Sequence, residues 1–206
     1  MEKTIARIIS VVFHPLLVPT YALLLLINLK TNMAFVLPVE HNYITVLLVF
    51  LISFVMPSII IFILYRFGYV KSLQMENRRE RVLPLFTVSF FFYGTYYLLK
   101  QEPFYALFNI FMLGATLLAI LSIFVNYFTK ISIHMVAQGG LFGTLTGFAI
   151  AYNQDYMNLL YLLVFIAGLT GFARLKRNAH TPGQVYGGYV MGVVVMMGLF
   201  LLIALK

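Results

Sequence analysis

Seven stretches of the chain are apolar almost without interruption. They cover approximately 5–28, 43–65, 84–99, 104–128, 134–152, 157–173 and 183–205. A helix needs about 20 apolar residues to cross the hydrocarbon of a bilayer, and six of the seven reach or approach that length. The third, 84–99, is the shortest, so it could be tilted, broken or only partly inserted. The pattern therefore predicts six or seven transmembrane helices. Within the runs apolar residues are continuous rather than alternating, which argues against an outer-membrane barrel. Tyr and Phe cluster near several ends, where interfacial aromatics are expected.

Composition narrows the class further. Of 206 residues, 62% are apolar and 10% charged, against about 25% charged in soluble domains. A globule of this size could not hide so much apolar surface, so a soluble enzyme is excluded, and so is a disordered chain. One membrane domain spanning 1–206 is expected, with no linker or convincing repeat. The first run is followed by no small-residue cleavage site and is expected to be a retained helix rather than a cleaved leader. The expected class is an all-α polytopic bundle in the bacterial inner (plasma) membrane.

Fourteen Lys and Arg face six Asp and Glu, for a net charge of +8. The cations sit in short loops between apolar runs, which makes nucleic acid a poor partner. With seven spans, the N-terminus and the second, fourth and sixth loops share one face. It carries Lys3, Arg7, Arg66, Lys71, Arg78, Arg79, Arg81, Lys130, Arg174, Lys176 and Arg177, leaving Lys30, Lys100 and Lys206 opposite, a split of 11 to 3. His134 and His180 fall on the crowded face; His41, expected in a loop, falls on the other with Glu40, Glu102 and Asp155. The positive-inside rule accounts for the charge split and could make the alternating ENRRER run of the second loop a solvated turn. It explains the histidines less well, although a histidine at the mouth of an apolar helix can also be structural. Cysteine is absent, which excludes disulfides and thiolate chemistry. No His, Asp and Glu set has metal-ligand spacing, so no metal or cofactor is expected.

The sharpest segment runs from Ala173 to Gly188: Arg174, five residues, His180, three residues, Gln184, then a Gly-rich helix. Thr181 suits an N-cap and Pro182 a first helical position. His180 would then stand beside the positive end of a helix, where a phosphate is welcome. Gly187, Gly188 and Gly192 are expected to serve close helix packing, and Lys176 and Arg177 interfacial anchoring. In the first run, Phe13-His14-Pro15 places a histidine in lipid. There His14 either pairs with a carbonyl freed by Pro15 or lines a cavity. Asn109, Asn126 and Gln138 are candidate helix-bridging amides.

The Arg174–Gln184 segment resembles the third signature of the type-2 phosphatidic acid phosphatase superfamily: Ser-Arg, five residues, His, three residues, Asp. Ala173 replaces the Ser and Gln184 the Asp. The second signature, Pro-Ser-Gly-His, is met by Ile131-Ser132-Ile133-His134, which keeps Ser and His. The first, Lys, six residues, Arg-Pro, is met by Lys71 and Arg78, with Arg79 where the Pro would stand; Arg79 and Arg81 are rival cations. The resemblance covers about residues 71 to 192 and leaves the first helix out.

The resemblance implies metal-independent hydrolysis of a lipid phosphate or diphosphate. His180 would attack phosphorus to form a phosphohistidine, and His134 would protonate the departing lipid oxygen. Lys71, Arg78 or Arg79, and Arg174 would hold the phosphate oxygens. Ser132 would donate a further hydrogen bond, and Gln184 would orient His180. Two alternatives stay open: a degenerate pocket that binds an anionic lipid without turnover, and a small transporter with a basic vestibule. The charge split puts the motif face in the cytoplasm; the resemblance points to the outer side.

Overall fold

The computed structural model describes residues 2–29, 39–75 and 77–204; the side chains of 39–41, 104 and 204 fall outside that description. Lys30 and Lys206 of the charge split therefore lie outside the described residues, as does the side chain of Glu40. Among the described residues the regular structure is helical throughout: α1 Glu2–Val12, α2 Val18–Asn28, α3 Val39–Phe50, α4 Met56–Arg66, α5 Val82–Leu99, α6 Ala106–Phe128, α7 Ile133–Ala151, α8 Met157–Lys176 and α9 Pro182–Ala204. They form seven segments long and apolar enough to cross a membrane: Glu2–Asn28, Asn42–Arg66, Arg79–Leu99, Ala106–Phe128, Ile133–Ala151, Met157–Lys176 and Pro182–Ile203. The protein is an all-α integral membrane protein, and the third run has the length of a full span.

That third span is longer than its apolar run because its first turn hides a cation. A 3₁₀ turn, Arg79–Arg81, leads directly into α5. Arg81 is buried, and its Nε–H donates to the Met75 carbonyl at 3.0 Å. Pro84 falls in the first turn of α5, where its missing N–H costs no helix bond.

Two spans are interrupted, both at prolines. The first is broken by a 3₁₀ turn, Pro15–Leu17, between α1 and α2. In the second, a π turn at Leu51–Val55 joins α3 to α4, and the Met56 N–H reaches back five residues to the Leu51 carbonyl. Pro57 cannot donate to the Ser53 carbonyl, so the ladder widens there. His41 lies in the first turn of α3 rather than in a loop. The helix begins at Val39, so the polar run at 40–42 is its first turn.

The chain divides into two compact units, Met1–Pro15 with Ile120–Lys206, and Leu16–Ala119. In the first, α9 lies along α7 on a seam of glycines. A β-carbon at Gly143 would stand 2.5 Å from the Val193 carbonyl oxygen, and one at Gly188 would stand 2.8 Å from that of Ser132. One at Gly192 would collide with the Val136 carbonyl, and one at Gly139 with that of Tyr189. Backbone approach this close gives packing where lipid leaves no hydrophobic drive between helices. Gly188 and Gly192 thus pack as expected, whereas Gly187 has nothing within 4 Å of such a carbon. Helix α8 packs on α7, and α1 packs on α8, with Ala6 and Ser10 as its buried face. Lys176, at the end of α8, pairs with Glu2.

In the second unit Glu76 of the segment between α4 and α5 lies outside the described residues, and Asn77, Arg78 and Arg79 are exposed, as in a solvated turn. The Lys71 N–H donates to Glu80 Oε2 and the Arg79 N–H to Asn77 Oδ1, each at 3.1 Å. Met75 takes a left-handed conformation, φ 49°. Asn109 joins α6 to α5, its Nδ2 donating to the Leu99 carbonyl at 2.8 Å.

Seven spans give the loops before α7 and α8 opposite faces. Thr129, before α7, and Asn158, in the first turn of α8, are exposed, and the chain has no native cysteine. If the 11 to 3 split sets the orientation, an impermeant thiol reagent applied to intact cells labels Asn158→Cys and spares Thr129→Cys. The reverse pattern overturns the cytoplasmic placement of the motif face.

Candidate functional site

The helix that carries the third motif starts where the sequence places it. Pro182 opens α9, and the Val185 N–H closes the first turn on the Thr181 carbonyl at 3.1 Å. Gln184 is then the third residue of the helix. Its Oε1 accepts from the Thr181 main-chain N–H at 3.2 Å, one half of a capping box. The same oxygen lies 3.2 Å from His180 Nδ1, and the Lys130 carbonyl lies 3.0 Å from that nitrogen. A main-chain carbonyl can only accept, and the Thr181 N–H fixes Oε1 as an acceptor too. His180 therefore carries its proton on Nδ1 and shares it between the two oxygens. Nε2 is left as the basic, nucleophilic nitrogen of the neutral ring. The His180 side chain is buried, 8% exposed.

The second motif lies in the same unit. The Ser132 N–H donates to the Gln184 main-chain oxygen at 3.2 Å, which ties the start of α7 to the first turn of α9. Ser132 occupies the N-cap position of α7 in an extended conformation, and its side chain makes no capping bond. Its carbonyl instead accepts from the Met135 and Val136 N–H groups, each at 3.0 Å. Its hydroxyl is fully buried and has no hydrogen-bond partner among the described residues. A buried hydroxyl in that state is costly and suits a ligand that accepts a hydrogen bond.

His134 follows in the first turn of α7. Its Nε2 is 3.1 Å from the Ser10 carbonyl of α1, and its ring meets that of His14 edge to face, centroids 5.4 Å apart. The carbonyl freed at the break before Pro15 is thus the one that His134 takes. Arg174, in the last turn of α8, lies within electrostatic reach of both His14 and His134, and His180 lies within reach of His134. Among the described residues the ionisable neighbours acting on His134 are Arg174, His14 and His180, and none is an acid. An arginine and three histidines without a carboxylate have the chemistry to receive an anion.

The first motif belongs to the other unit. Lys71, Arg78 and Arg79 have exposed side chains in the segment between α4 and α5. Arg81, the rival cation, is the buried anchor of that loop through Met75. No group of three or more His, Asp and Glu suited to a metal ion occurs among the described residues.

Two contributions of this site escape the motifs. The capping box Thr181-Pro182-Gly183-Gln184 is a sequence signal for the return of the Gln184 side chain. The part played by α1 has no local signal beyond Pro15. Comparison of the chain with family models, curated proteins and solved structures finds no match.

Proposed function

We propose that the protein is a membrane phosphatase that hydrolyses a lipid phosphate or diphosphate through a phosphohistidine, without a metal ion. The observation that carries this reading is the state of His180. Its Nδ1 proton is held by Lys130 and Gln184, which makes Nε2 the nucleophilic nitrogen, and His134, which feels both His180 and Arg174, belongs to the same cluster. Three motifs similar to those of the type-2 phosphatidic acid phosphatases, in family order, supply the substrate class. The continuous apolar helices suit the plasma membrane of a bacterium.

In this mechanism His180 Nε2 attacks phosphorus while the bond to the lipid oxygen breaks. A protonated His134 gives its proton to that oxygen. Arg174 offsets the charge that develops on the phosphoryl oxygens, and the Ser132 hydroxyl donates to one of them. Lys71 and Arg78, with Arg79 as the alternative, are assigned to the phosphate by motif spacing. Water then attacks the phosphohistidine, giving its proton to His134, and phosphate leaves with His180 restored. Gln184 holds the tautomer but supplies no negative charge to the imidazolium that forms. That neutral residue favours a second reading, a pocket that binds the lipid without turnover.

Phosphate release from a panel of detergent-solubilised lipid phosphates and diphosphates separates these readings. The phosphatase reading expects release that persists in EDTA and is inhibited by vanadate, a mimic of five-coordinate phosphorus. A requirement for a divalent ion overturns the mechanism. Lipid binding without release leaves the binder.

Gln184→Glu keeps the length of the side chain and both of its hydrogen bonds while adding charge. The expected result is faster phosphohistidine formation, by roughly tenfold or more, since loss of the comparable carboxylate in a serine-protease triad costs about 10⁴. The acidic limb of the pH–rate profile should move to higher pH, because a carboxylate favours the protonated ring. Pre-steady-state rates across pH check both; an unchanged profile with intact binding removes Gln184 as the orienting residue.

A further inference from the structure

The motifs begin at Lys71 and leave the first helix out, yet α1 delivers a main-chain oxygen to His134. The cause lies in four residues. The regular helical donor to the Ser10 carbonyl would be the His14 N–H, but that group turns to the Val11 carbonyl at 3.2 Å. Pro15 has no N–H to give Val11, so the last turn tightens and Ser10 loses its helical donor. The Ser10 hydroxyl does not compete for the ring, because it donates to the Ala6 carbonyl at 2.8 Å. His134 Nε2, 3.1 Å away, takes the place of the missing donor.

We infer that the break at Pro15 is a positioning device for the site: the Ser10 carbonyl holds His134 with its proton on Nε2, so that Nδ1 is the nitrogen that gives and takes a proton. A carbonyl oxygen offers only lone pairs, and Ser10 is buried in the protein. The ring therefore keeps Nε2 as donor whenever it is neutral. His180 is held in the opposite state, with its proton on Nδ1 by the Lys130 carbonyl. The two histidines thus present different nitrogens, one fit to attack and one fit to protonate a leaving group. The His14 ring, edge to face with that of His134 at 5.4 Å between centroids, packs against it as well. The groups facing His134 are Ser10 from α1, His14 from the break that follows it, Arg174 from α8, and His180 from the turn before α9.

This inference rests on the phosphatase reading for its chemistry, but not for its geometry, and the test keeps the two apart. The full-length protein, labelled with ¹⁵N-histidine and held in detergent at alkaline pH, is studied by long-range proton–nitrogen correlation. His134→Gln and His180→Gln identify the two rings by the signals they remove. The expected spectrum shows His134 protonated on Nε2 and His180 protonated on Nδ1. A His134 ring protonated on Nδ1 overturns the inference whether or not the protein hydrolyses anything. In Pro15→Ala the new N–H can serve Val11, His14 returns to Ser10, and the ring must share its acceptor. His134 should then become a mixture of tautomers while His180 is unchanged. Turnover of a lipid phosphomonoester should fall by roughly tenfold at unchanged KM, with an altered pH profile. Wild-type tautomers and rate retained in Pro15→Ala also overturn the device. Should that variant fail to fold, the wild-type spectrum decides alone. The expected tautomers in a protein that releases no phosphate from any lipid uphold the positioning and sink the phosphatase reading.

Discussion

His180→Ala should abolish turnover, with a loss of about 10³-fold or more in phosphate release, because the nucleophile itself is gone. The fold should survive the change. Gln184 Oε1 keeps the Thr181 N–H, the Ser132 N–H keeps the Gln184 main-chain oxygen, and α7 and α9 meet along glycines that the ring does not touch. Binding of a lipid phosphate should persist, since Arg174 and Ser132 remain. Release assays beside equilibrium binding check this. Normal turnover in a folded variant would remove His180 as nucleophile.

A large effect on stability is expected at Gly192. A β-carbon there collides with the Val136 carbonyl and comes within 2.5 Å of the Gly140 nitrogen. Both obstacles are main chain, so no rotamer change relieves them. Gly192→Leu must push α9 off α7, at a cost of about 3 kcal/mol or more, at or beyond the usual range for overpacking. Gly187→Ala is the control, since nothing lies within 4 Å of the added carbon, and alanine improves helix propensity by about 1 kcal/mol. Thermal unfolding in detergent, followed by size-exclusion chromatography of heated samples, should show Gly192→Leu lost well below wild type. Gly187→Ala should hold or gain. Equal transitions for all three would mean that the seam is not what joins the two helices.

The spans were legible because lipid imposes one rule on every helix, an apolar length. The misreadings came where a polar residue sits inside that length. Arg81 shortened the third run on paper, yet its Nε–H finds the Met75 carbonyl and its 3₁₀ turn leads straight into α5. The polar run at His41 read as a loop but opens α3. At the site, Thr181, Pro182 and Gln184 announce their geometry locally, as caps do. The partnership of His134 with Ser10 spans 124 positions of sequence. It depends on where α1 packs, which no local pattern encodes. Pro15 marks a break; which carbonyl it frees, and for whom, is set by the bundle.

The most direct measurement is a rapid-quench experiment with a lipid phosphate labelled in its phosphoryl group. The account predicts a covalent phosphoenzyme that forms before phosphate is released, is stable to alkali and labile to acid, maps to His180, and is absent from His180→Ala. Phosphate release by the wild-type protein with no such label, or tight substrate binding with neither label nor release, would contradict it.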